Sequence, residues 1–123
     1  MADGYSSNLR ERAFRFTCDV FDFCEQLARS PGVARRVAYQ LFDAASSIGA
    51  NLEEAKAAYS RREFTAKNAI SLKESREAKY WLRVAEAKSL GDPDKRRSLQ
   101  QEVDEFVAML TKGVKRLQLG SGV

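Results

Sequence analysis

The 123-residue chain has no histidine, which removes the side chain that most often serves as a general base near neutral pH and as a metal ligand. The Glu-x-x-His pattern of di-iron bundles is excluded with it, so neither a metal nor another cofactor is expected. Cysteine is nearly as scarce. Cys18 and Cys24 are six apart in what reads as one helix, a rise of roughly 9 Å that exceeds disulfide reach. They read as buried thiols in a reducing compartment. No apolar run approaches the ~18 to 20 residues needed to span a bilayer, and Met1 to Leu9 lacks the apolar stretch of a signal peptide. The expected location is cytoplasmic, with no membrane partner. No Gly-rich phosphate loop occurs, and neither cysteine has a visible activating base. Glu53, Glu54, Glu74 and Glu77 are close enough in sequence to cluster, yet adjacent and i, i+3 carboxylates are frequent in any charged helix. No catalytic residue is assigned, and no enzyme is expected.

What the chain does contain suits one folded domain: 44% apolar residues and 31% charged. Its 21 Lys and Arg exceed its 17 Asp and Glu by only four, with both signs spread along the sequence. So small a surplus hints at an anionic partner but is also common on ordinary soluble domains.

The two prolines and seven glycines fall mainly at the ends of long periodic segments. A first helix is predicted from about Asn8 to Ala28, with Leu9, Ala13, Phe16, Val20, Phe23 and Leu27 as its apolar seam. Ser30 is placed to cap a second helix with Pro31 in its first turn, running to about Tyr59. Its stripe is Val37, Leu41, Ala45, Ile48, Leu52, Ala55 and Tyr59. Ser46, Ser47 and Gly49 interrupt it, which predicts a bend or a close contact near Gly49. Ser60-Arg61-Arg62-Glu63 fits a capping box at the start of a third helix that reaches about Leu90 and closes at Gly91. Asp92-Pro93 opens a fourth, with Leu99, Val103, Phe106, Leu110, Val114 and Leu117 in its seam. Short connections between long helices then give an all-α, antiparallel up-down-up-down four-helix bundle over residues 1–123, with frayed ends at about 1–7 and 119–123.

Two features exceed what a bundle core needs. Phe14, Cys18 and Phe21 lie roughly 120 to 180° from Leu9 on the helical wheel, a second apolar face. It is read either as a subunit interface or as the flank of a wider core. In the third helix the inward positions are Asn68, Ser71, Glu74 and Ser75. A hairpin around Ser60 pairs residues whose numbers sum to roughly 120, setting Ser47 beside Glu74 and Asn51 beside Asn68 or Ser71. The set Ser47, Asn51, Glu54 and Glu74 is accordingly read as a polar lock fixing register, with a ligand site as the alternative.

The segments SIGANLEEA at Ser47 to Ala55, SRREF at Ser60 to Phe64 and KESREAKYWL at Lys73 to Leu82 resemble the bacterial four-helix bundle family of 23S rRNA intervening-sequence proteins. The similarity covers nearly the whole chain. Ser47, Ile48, Asn51 and Glu54 match the family's second-helix pattern, while Gly49 stands where a proline is usual and Ala55 where a glycine is. The resemblance implies an up-down bundle assembled as a ring-like homopentamer, and it does not imply an enzyme. Related accessory proteins of diversity-generating retroelements are basic pentamers that bind nucleic acid and a reverse transcriptase. Two functions follow as expectations: a module binding RNA or DNA through Arg61, Arg62, Arg96 and Arg97, or a protein-interaction scaffold without nucleic-acid contact.

Overall fold

A computed structural model describes the backbone of residues 2–121 and the side chains of residues 8–120. Four helices follow one another: α1 (Ala2–Leu27), α2 (Val33–Lys56), α3 (Arg61–Ala87) and α4 (Pro93–Ser121). Connections this short fold each helix back on the last, and α1 closes the bundle against α4. Among the described residues there is no strand, and no helix is long and apolar enough to cross a membrane.

The seams meet in one core. Leu9, Ala13, Phe16, Val20, Phe23 and Leu27 of α1 face Leu99, Val103, Phe106 and Leu110 of α4, and all are buried. At its centre Phe16 and Phe106 pack edge to face, 5.3 Å between centroids, the arrangement their ring quadrupoles favour. The interruption around Gly49 produces no break, and α2 runs through it. A Cβ built on Gly49 would stand 3.5 Å from the Cβ of Ala13, so the small residues serve a close α1–α2 approach.

The helix ends depart from the sequence reading in several places. Ser30 and Pro31 do not open α2. The amides of Arg29 and Ser30 bond back to Gln26 and Leu27, closing α1, and Gly32 at φ 90° turns the chain into Val33. Helix α2 then ends at Lys56, so Tyr59 falls outside the stripe and is 99% exposed. Helix α3 stops at Ala87 rather than Leu90. The amide of Leu90 bonds to Ala85 and that of Ser89 to Glu86, a Schellman closure with Ser89 (φ 55°) in the left-handed position assigned to Gly91. Two caps form at the expected residues: Ser60 Oγ accepts the Glu63 amide at 3.1 Å, the serine half of the capping box, and Asp92 Oδ2 accepts the Lys95 amide at 2.8 Å. At the chain's ends, where fraying was expected, α1 already runs from Ala2 rather than Asn8 and α4 continues to Ser121, while the side chains of residues 1–7 and all of 122–123 lie outside the described residues.

Candidate functional site

The hairpin register is the one expected, since Ser71 Oγ donates to the Ile48 carbonyl at 2.9 Å and Lys67 Nζ to Glu54 at 2.6 Å. The polar set itself does not converge. Ser47 Oγ donates to the Asp43 carbonyl and Asn51 Nδ2 to the Ser47 carbonyl, each four residues back. Short side chains at these positions reach their own helix before they reach a neighbour. Glu54 stands at the surface with Lys67. The buried polar contact between α2 and α3 belongs instead to Ser71, with Ser75 bonding back to the Ser71 carbonyl.

Glu74 accepts no hydrogen bond from any described residue. Burial, then the nearby charge of Glu77, raises its carboxyl above the ordinary range; Asp43 adds to the rise and Lys73 opposes it. A raised carboxyl favours the protonated folded state. Its destabilising effect is therefore absent below the unfolded carboxylate pKa, about 4.3, and complete only above the folded one. Glu74→Gln is expected to melt at a higher temperature than the parent at pH 7 and at the same temperature near pH 4. Equal melting temperatures at both pH values would show that the carboxylate is not strained.

The four candidate arginines separate. Arg61 and Arg62 are exposed at the start of α3, and Arg61 extends alongside the end of α4, where a Cβ on Gly120 would lie 2.6 Å from its Nη2. Arg96 does not offer its charge to a partner. It is buried, and its Nη1 donates at 2.7 Å to the Leu90 carbonyl that the turn after α3 leaves free. Arg97 is exposed and ion-paired with Asp94. Of the four, Arg61 and Arg62 stand exposed at the α2–α3 end, while Arg97 shares the opposite end with the exposed cations Arg29, Arg35, Arg36, Lys88 and Lys95.

The α2–α3 end, where Arg61 and Arg62 stand, holds a cleft of about 780 Å³ lined by residues of all four helices. Leu9, Leu52, Phe64 and Met109 give it an apolar lining, and Arg10, Lys56, Lys112 and Arg116 are the charged residues around it. Among the described residues no carboxylate lines it. Sequence reasoning missed this cluster because its members come from three helices and each is unremarkable in its own segment. It also missed Arg12, which straps α1 to α4 by bonding Glu102 and Glu105 at 2.7 Å, with its guanidinium 5.7 Å from the Phe106 ring centre.

The second apolar face of α1 is real in the subunit. Phe14 is 62% and Phe21 50% exposed, and Phe21 meets Phe42 of α2 edge to face at 5.9 Å. The rings do not fold into a wider core. Cys18 lies on this face and is exposed, contrary to its reading as a buried thiol, because its position faces away from the seam. Cys24 is buried, and burial pushes its thiol up to about 12, which leaves it inert at neutral pH.

Among the described residues no three side chains are grouped to hold a metal ion. No curated protein matches the chain significantly. A crystal structure of a protein of unknown function from the S23 ribosomal protein family of Bacteroides thetaiotaomicron superposes with a TM-score of 0.78 at 26% identity, covering 87% of this chain and 98% of that one. The sequence profile of the family described as 23S rRNA-intervening sequence protein matches residues 6–112. By that match, over most of its length, the chain belongs to the 23S rRNA-intervening sequence protein family.

Proposed function

We propose that the chain is a non-catalytic, oligomeric helical module that binds RNA or DNA through the α2–α3 end of its bundle. The observation that carries the reading is the make-up of one bundle end: Arg61 and Arg62 stand exposed there, and the charged residues among the described lining of its cleft, Arg10, Lys56, Lys112 and Arg116, are all cations. The family's name, with its reference to ribosomal RNA, supports the same direction. No base-reading motif is visible, so recognition is led by phosphate charge and tolerant of sequence. The oligomer is proposed to be a homopentamer, joined in part through Phe14, Cys18 and Phe21. A ring of subunits multiplies the phosphate contacts that each one makes.

Counterion release sets the test, because the logarithm of affinity falls by roughly 0.7 to 0.9 for each neutralised phosphate per decade of salt. Filter binding of structured and single-stranded RNA and DNA is expected to show retention at low salt that declines steeply as salt rises. The double variant Arg61→Glu, Arg62→Glu is expected to lose affinity roughly tenfold or more and to flatten that slope. Absence of retention at low salt for every nucleic acid would overturn the reading. The exposed aromatic face would then favour the scaffold alternative.

A further inference from the structure

We propose that the cleft at the α2–α3 end is a binding site for a small amphiphilic anion, a molecule with an apolar body and a carboxylate, sulfonate or phosphate head. Its volume, about 780 Å³, lies within the range of small-molecule sites, which are mostly apolar with a few placed polar groups. Leu9, Leu52, Phe64 and Met109 provide the apolar surface. Lys112 and Arg116 are four residues apart on α4, where like charges repel, and Lys56 approaches from the end of α2. None of these three cations forms an ion pair with a described residue, and Arg10 reaches Glu53 only at 3.8 Å. An anion seated among them supplies the counter-charge that no described carboxylate of the cleft provides.

Gly113 supplies an independent observation. It lies inside α4, where glycine is a poor helix former, and nothing comes within 4 Å of a Cβ built on it. No neighbour's close approach requires a glycine there. Because Gly113 lines the cleft, its missing side chain keeps the α4 wall open. Shape and charge thus point to the same class of occupant, independently of whether nucleic acid binds.

The test uses the full-length protein, with 1-anilinonaphthalene-8-sulfonate as a fluorescent probe and decanoate as its competitor. The expected result is saturable probe binding at low salt, displaced by decanoate at least tenfold more effectively than by decanol. Gly113→Leu fills the cleft with a better helix former, so it is expected to weaken probe binding at least tenfold while melting cooperatively at or above the parent's temperature. Lys112→Gln with Arg116→Gln keeps the cleft open and is expected to abolish the preference for decanoate over decanol. Undiminished probe binding by folded Gly113→Leu, or equal displacement by decanol and decanoate in the parent, would overturn the proposal.

Discussion

Gly91→Ala is expected to destabilise the subunit by about 2 to 5 kcal/mol, from left-handed backbone strain of about 1 to 2 and overpacking of about 1 to 3. Gly91 has φ 73°, and a Cβ there would stand 2.4 Å from the ring of Phe23, closer than any contact a folded core accepts. Phe23 is 1% exposed and packed on all sides, so its ring has nowhere to retreat. For a chain of this length a loss of that size lowers the melting temperature on the order of 10 °C. Circular dichroism melting of the variant would measure it, and a melting temperature within a degree of the parent's would mean that the α3–α4 turn can shift away from α1. Ser89, the other left-handed residue of this turn, has already taken the helix-closing role. Gly91 is required for a different reason, the space above Phe23.

The second large effect concerns assembly. Aspartate at Phe14 and Phe21 is expected to convert an oligomer into smaller, fully helical species. The subunit's own core has no use for Phe14, which is 62% exposed, so a charge there leaves the α1 seam intact. Burying each ring against another subunit contributes about 1.5 to 3 kcal/mol, and a closed ring repeats that contact once per subunit. Phe21 also packs on Phe42, so Phe21→Asp removes a contact within the subunit worth about 0.5 to 1.5 kcal/mol and is the less clean of the two. Phe14→Asp alone is the sharper variant. Loss of helix together with loss of assembly would contradict the interface, because it would show that the subunit itself depends on these rings.

How much of this was legible in the sequence depended on the range of each interaction. The seams of α1 and α4 were readable because burial repeats with the helical period, and residues from Leu9 to Leu27 and from Leu99 to Val114 sit in the core as read. The Ser60 and Asp92 caps were readable because they span only three residues. Ser30-Pro31 failed because the same dipeptide serves the turn that closes α1, and the chain's path across Gly32 decides between the two. Asn51 and Ser47 failed as a cross-helix lock since an intrahelical carbonyl competes for the same donor. Arg96 looked like any exposed cation, and only the turn carbonyl of Leu90, six residues earlier, takes it out of the surface. The cationic cleft was invisible for the opposite reason. Arg10, Lys56 and the Lys112–Arg116 pair are far apart in sequence, and only the packing of the helix ends brings them to one rim.

An oligomeric module closed through the outer face of α1 is the claim on which the functional reading most depends, because a ring concentrates the α2–α3 ends for a polyanion. Light scattering coupled to size exclusion on the unmodified protein tests it most directly. The expected result is one species with the mass of a pentamer of 13.8 kDa subunits. A single species at 13.8 kDa over the accessible concentration range would contradict it, and the exposed phenylalanines would then have no self-partner.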